Sequence, residues 1–158
     1  MALVITAPHE VYSIENSQNV KLFLAGGITN CEDWQSYVIS ELKELPFVTI
    51  YNPRRKNFSK NDANVEEEQI TWEFKHLVDS DLIIYWFAKG SLNPLVLYEL
   101  GMHGNSSDKP IIIGIDPAYE RKKDVIFQTR LARPELNIYE SMEDMINEIL
   151  HVFNHSDI

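Results

Sequence analysis

Cysteine occurs once, at Cys31, so neither an intrachain disulfide nor a multi-cysteine zinc cluster can form, and a reducing compartment is the plain reading. Long apolar runs are missing too. No stretch reaches the roughly 18 residues that cross a bilayer, and residues 1–19 carry Glu10 and Glu15 but no Lys or Arg, the wrong pattern for a secretory signal. The expected location is the cytoplasm. Basic residues are scarce: 14 Lys and Arg stand against 24 Asp and Glu, a net charge of −10. Such a surface repels phosphate backbones and anionic membranes, which argues against a nucleic-acid polymer or a membrane as partner. A small phosphorylated ligand stays open, because the basic group Arg54-Arg55-Lys56 acts within a screening length of about 8–10 Å. Internal repeats and low-complexity tracts are also lacking.

What is present suffices for one core. With 158 residues, 44% of them hydrophobic and 11% aromatic, the chain can offset its conformational entropy in a single domain. Val20 to Ala25 reads as a buried strand that runs into the turn Gly26-Gly27. Thr29 or Asn30 is placed to cap the helix that follows, with Glu32 and Asp33 in its first turn and Trp34, Val38, Ile39 and Leu42 at helical spacing. Phe47 to Tyr51 is the next strand, stopped by Asn52-Pro53, and Arg54 to Asn64 is a loop. Ile70, Phe74, Leu77 and Val78 predict a helix over 65–80. Leu82 to Phe87 has no alternation and so reads as a strand buried on both faces. Helix over 94–104, strand over 111–115, loop and helix over 116–131, short strand over 137–139 and helix over 141–153 complete the chain. Ser141 with Asp144 resembles a capping box.

This alternation predicts an α/β, doubly wound (flavodoxin-like or Rossmann-like) five-stranded parallel sheet with helices on both faces. Residues 20–158 form the domain. Residues 1–19 form an N-terminal extension, able to add a strand pair from Leu3-Val4-Ile5 and Val11-Tyr12.

In such sheets ligands bind beyond the carboxyl ends of the strands, near helix N-termini. The loops there begin at Gly26-Gly27, Pro53-Arg54-Arg55, Ala88 to Asn93 and Gly114 to Pro117. Glu99 stands out, because a carboxylate amid the apolar residues of Pro94 to Gly101 is costly to bury without a partner or a purpose. Its plainer reading is a Glu paired with an Arg or with a helix dipole. Glu73, on the preceding helix, is ordinary by itself, and Asp79 and Asp81 lie at the amino end of the strand, away from that chemistry. Trp34 reads as core before base-stacking, and His76 and His103 as helix-surface residues without metal-ligand spacing.

A longer pattern connects these residues. Trp72-Glu73, Leu77, Asp81 to Phe87, Asn93 and Glu99-Leu100-Gly101, together with Phe23 to Ile28 and Asn52-Pro53-Arg54-Arg55, resemble the nucleoside 2-deoxyribosyltransferase family, especially its divergent "like" branch, and its nucleotide N-glycosidase relatives. The resemblance covers about residues 20 to 150. It implies cleavage of the bond between a nucleobase and the anomeric carbon of 2-deoxyribose, in a nucleoside or its 5′-monophosphate, with transfer to another base or to water and no cofactor. Glu99 then takes the place of the carboxylate nucleophile, and Glu73 that of the acid that helps the base leave. Gly26, Gly27, Pro53, Arg54, Arg55, Asn93 and Phe87 are the expected substrate-binding residues, with Arg54 and Arg55 near a 5′-phosphate. Family members are homo-oligomers whose sites borrow residues from a neighbour. Two departures are visible: the Tyr that many members place after the first strand is replaced by Gly26-Gly27-Ile28, and Glu73 stands where better-known relatives have Asp. The missing Tyr leaves a non-catalytic nucleotide-binding module of the same fold as the alternative.

Physical chemistry agrees with the pairing. An oxocarbenium-like transition state is stabilised by an ionised carboxylate at the anomeric carbon. The leaving base needs a proton, which suits a carboxylic acid raised in pKa by apolar neighbours such as Trp72, Trp86 and Phe87.

Overall fold

In the computed structural model of the protein, residues 1–10, 18–56, 62–105 and 108–155 are described. The chain order is β1 (Leu3–Thr6), β2 (Val20–Gly26), α1 (Trp34–Leu42), β3 (Val48–Asn52), α2 (Ala63–Asp79), β4 (Leu82–Phe87) and α3 (Pro94–Glu99). A π-helical stretch (Leu100–Asn105), β5 (Ile111–Ile115), α4 (Lys122–Ala132), β6 (Ile138–Tyr139) and α5 (Met142–His155) follow. The six strands form one sheet in the order β1-β3-β2-β4-β5-β6, and every pairing is parallel. The doubly wound α/β architecture is thus present with one strand more than the five expected. The sixth is Leu3–Thr6, which pairs along β3 at the sheet edge; Val11-Tyr12 lies outside the described residues.

Burial explains the unalternating sequence of β4. Ile83, Tyr85 and Phe87 pack into a core beneath α2, α3 and α4, while Leu82, Ile84 and Trp86 pack into a second core beneath α1 and α5. Neither face meets water, so neither tolerates a polar residue.

Helix starts and faces differ from the periodic reading. Asn30 has a left-handed φ of 58° and cannot enter a right-handed helix, so α1 begins later, with Asp33 as N-cap accepting the Ser36 N–H at 3.0 Å. Glu32 and Asp33 therefore precede the helix instead of occupying its first turn. In α2 the buried residues are Gln69, Trp72, His76 and Leu77, whereas Ile70, Phe74 and Val78 are each more than half exposed. The Trp72 indole decides this orientation: it packs against Phe23, Tyr51 and His76 and donates to the His9 carbonyl. With the indole seated there, Gln69, His76 and Leu77 share its face and turn inward with it. At α5 half of the expected box forms: Ser141 Oγ accepts from Asp144 N–H at 3.0 Å, and the Asp144 carboxylate accepts from the Ser141 hydroxyl at 2.7 Å in place of the backbone N–H.

In the strand order, β2 and β4 are neighbours whose onward helices cover opposite faces. Their C-terminal ends, where Gly26 pairs with Trp86, form the crevice in which open α/β sheets bind ligands.

Candidate active site

A cavity of about 380 Å³ opens at this crevice, on the α2–α3 side, within the size range of small-molecule sites. Glu73 and Glu99 both line it, as do Gly26, Gly27, Pro53, Arg55 and Asn93. Its apolar wall is supplied by Phe23, Ala25 and Val96. A larger hollow of about 860 Å³ on the opposite face, by Trp34 and Trp86, contains neither carboxylate.

Each candidate side chain is placed by its element. Glu99 is the last residue of α3, after which the backbone widens into the π-helical stretch, a device often found at functional positions. Its carbonyl accepts the Tyr85 hydroxyl at 3.2 Å, which ties this helix to the sheet. Glu73 sits on α2 one helical turn beyond Gln69, and the Gln69 Nε2 donates to Glu73 Oε1 and to the Pro53 carbonyl, both at 2.8 Å. Asn93 is the residue before Pro94 at the start of α3, and it adopts a left-handed φ of 49° that turns the chain into the helix. Its Nδ2 donates to the Ala88 carbonyl, while its Oδ1 is buried without a partner among the described residues.

Electrostatically the site is a pair of acids in a poorly hydrated place. Burial pushes the Glu99 carboxyl up from 4.5 to about 8, and the charge of Glu73 adds to the rise. Burial also raises Glu73, against the Gln69 hydrogen bond, which favours its ionised form. Two interacting carboxyls of this kind titrate as a pair, and between their two steps they hold one proton.

Arg54 and Phe87 stand apart from this cavity. The Arg54 guanidinium donates to Gln35 Oε1 and the Glu32 carbonyl, both at 2.8 Å, and lies 3.1 Å from Asp33. It is consumed in fastening the β2–α1 loop. Phe87 is fully buried on Tyr119. Trp86 faces the other core, and Trp72 is sealed between Phe23 and His76, so the low polarity around the acids comes from Phe23, Ala25 and Val96 instead. Arg55 does line the cavity, with its guanidinium 2.7 Å from Glu68. Gln69 and Tyr85 escaped the sequence reading. The four-residue step from Gln69 to Glu73 on one helix face was the available signal for the first, while Tyr85 was hidden inside an apolar strand.

A family model described as "Nucleoside 2-deoxyribosyltransferase like" matches residues 19–119. The chain belongs to this family. The matched segment spans β2 to the residues after β5 and so contains Glu73, Asn93 and Glu99. Among solved structures, a conserved protein from Enterococcus faecalis V583 is similar, with a TM-score of 0.54 and 15% identity over 84% of this chain and 98% of that one. At that identity the likeness bears on the fold alone. No curated protein matches. Among the described residues of this nucleoside 2-deoxyribosyltransferase-like chain, no group of His, Cys, Asp and Glu is arranged to hold a metal ion, and no helix is long and apolar enough to cross a membrane.

Proposed function

We propose that this chain cleaves the N-glycosidic bond of a 2′-deoxynucleoside or its 5′-monophosphate and passes the deoxyribosyl group, held on Glu99, to another base or to water. The observation that carries this reading is the convergence of two partly buried carboxyls from different helices on one cavity at the switch point of the sheet. Family membership supplies the reaction class.

Chemistry follows from the protonation of the pair. With one proton on Glu73, that side chain gives it to the leaving base while the C1′–N bond breaks and its electrons stay with the base. The Glu99 carboxylate supplies the electron pair for the new C1′–O bond, and that bond breaks, its electrons returning to Glu99, when an acceptor attacks C1′ and gives up its proton to Glu73. Retention results from the two displacements. Burial stops both carboxyls from ionising together; at rest the shared proton lies on Glu99, which burial and the charge of Glu73 raise, and it passes to Glu73 to give the reactive form. Asn93 and the Gly26-Gly27 turn border the sugar, and Arg55 is the cation nearest to a 5′-phosphate. Since Arg55 is already paired with Glu68 and faces three cavity carboxyls, Glu66, Glu73 and Glu99, the unphosphorylated nucleoside is the better fit.

The same reading includes a homo-oligomer acting in the cytoplasm. Ile70, Phe74 and Val78 on α2 and Leu95 and Tyr98 on α3 are all more than half exposed. Ile70 and Leu95 also reach the cavity rim. A second copy covering this stripe would close the site and bury an apolar patch of the kind that marks an interface. The test is rapid quenching of turnover followed by protein mass spectrometry: a deoxyribosyl adduct on the peptide that contains Glu99 supports the proposal, and an adduct on another residue contradicts it.

A further inference from the structure

Gln69 is a buried side chain with half of its hydrogen-bonding capacity unused. It is 7% exposed and lines the cavity. Both hydrogens of its Nε2 are committed, one to the Pro53 carbonyl and one to Glu73 Oε1, each at 2.8 Å, while Oε1 is buried with no partner among the described residues. The amide cannot turn over to exchange these roles. A carbonyl only accepts, so a flipped amide would set its oxygen against the Pro53 oxygen, 2.8 Å away, and lose that bond. Gln69 therefore offers a fixed acceptor, and an acceptor buried without a donor is a standing cost that a ligand can remove.

The neighbouring acid completes the motif. Because Glu73 Oε1 accepts from Gln69, the proton that Glu73 carries sits on Oε2. Glu73 and Gln69 are one turn apart on α2 and both line the cavity, so this donor and this acceptor can meet one edge of the same ligand. We propose, resting on the glycosidic reading above, that Gln69 makes this site selective for nucleobases that carry an exocyclic amino group next to an acceptor ring nitrogen. The amino group donates to Gln69 Oε1, and the ring nitrogen receives the Glu73 proton as the C1′–N bond breaks and its electron pair passes to the base. Adenine and cytosine edges have this order of groups; hypoxanthine and uracil present an oxygen where the amino group would be. That oxygen meets Gln69 Oε1 as a second acceptor. Gln69 thus also fixes which oxygen of Glu73 delivers the proton.

The experiment compares kcat/KM for deoxyadenosine against deoxyinosine and for deoxycytidine against deoxyuridine, in the full-length protein and in Gln69→Met, which keeps the side-chain length and removes the amide. Calorimetric binding of free adenine and hypoxanthine runs alongside. The wild type is expected to favour the amino member of a pair by about 10- to 100-fold, the range of a buried polar group left unpaired. In Gln69→Met the ratio falls to about 3-fold or less, and the acidic limb of the pH profile moves, which a packing role alone would not produce. Equal use of amino and oxo bases by the wild type, or an unchanged ratio in Gln69→Met, overturns the proposal. If no nucleoside is turned over but adenine binds more tightly than hypoxanthine in a Gln69-dependent way, selectivity stands and the catalytic reading falls. Binding of neither base overturns the selectivity.

Discussion

A Cβ placed on Gly27 would lie 2.1 Å from the Asn93 Oδ1, so backbone and side chain meet here as closely as a glycine allows. Gly27→Ala must push the Asn93 side chain, and with it the start of α3, away from its position. Displacements of about 1 Å around reacting groups cost on the order of 100-fold in rate, and we expect a loss of that size in kcat/KM with a cooperative thermal transition retained. Gly101, where an added Cβ has nothing within 4 Å, is the control. Gly101→Ala is expected to stay within about 3-fold of wild type, the small effect usual where a substitution meets nothing. Equal effects at the two glycines would contradict the steric account.

The paired acids predict a bell-shaped dependence of kcat/KM on pH, since the reactive form holds a single proton. Burial raises both carboxyls, Glu99 to about 8, so the pair gives up its last proton, the one the leaving base needs, as the pH passes about 8, and activity falls there. Activity sustained to pH 10 would contradict the pairing.

Stability should respond to the same groups, with a definite sign. A carboxyl whose folded pKa lies above its unfolded value favours folding below the unfolded pKa and loses that contribution as pH rises through the folded one. For Glu99 the window runs from 4.5 to about 8. At about 1.4 kcal/mol per unit the upper bound is about 5 kcal/mol, and water in the open cavity brings the expected change to about 1–3 kcal/mol. Denaturant titrations at pH 5 and pH 9 are expected to show Glu99→Gln gaining that amount over wild type at the higher pH. A variant with the wild-type slope would show that Glu99 is not the titrating group.

The two adjacent arginines predict opposite phenotypes. Arg54 is bound to the β2–α1 loop by short hydrogen bonds, and Arg54→Met leaves those partners unpaired, at a cost of about 2–3 kcal/mol, or about 4–10 °C in Tm. Arg55→Gln should leave nucleoside turnover within about 3-fold and weaken any use of 5′-monophosphates by about 10-fold, the scale of one charge-assisted hydrogen bond. Scanning calorimetry and paired kinetics check the two outcomes, and a reversed pattern would reassign the phosphate contact.

An oligomer built on the exposed stripe should be separable by charge. Leu95→Glu, on a residue 64% exposed, is expected to shift sedimentation toward the monomer without lowering the Tm of the monomer itself, because it disturbs no buried contact. An unchanged sedimentation coefficient would place the interface elsewhere.

Most of the sheet was legible because strands such as Leu82–Phe87 are unbroken apolar runs bounded by turn residues, and burial on both faces leaves no other use for such a run. The faces of α2 were not. Periodicity pointed to Ile70, Phe74 and Val78 as core, whereas the helix turns Gln69, Trp72 and His76 inward. Apolar spacing marks a helix face and does not say whether that face meets the core. Glu73 and Glu99 were legible through a pattern of residues spread over two helices. The diversion of Arg54 was not, since it depends on carbonyls brought in from the β2–α1 loop, and nothing in an Arg-Arg pair reveals which member faces the cavity.

Nucleophilic attack by Glu99 is tested most directly by base release from a panel of deoxynucleosides and their 5′-monophosphates, with and without a second free base. It predicts product from the wild type and a loss of about 10³-fold or more in Glu99→Ala, with dependence on the added base separating transfer from hydrolysis. Wild-type rates in Glu99→Ala, or no product from any substrate, would contradict it, and the latter would leave a nucleotide-binding module in its place.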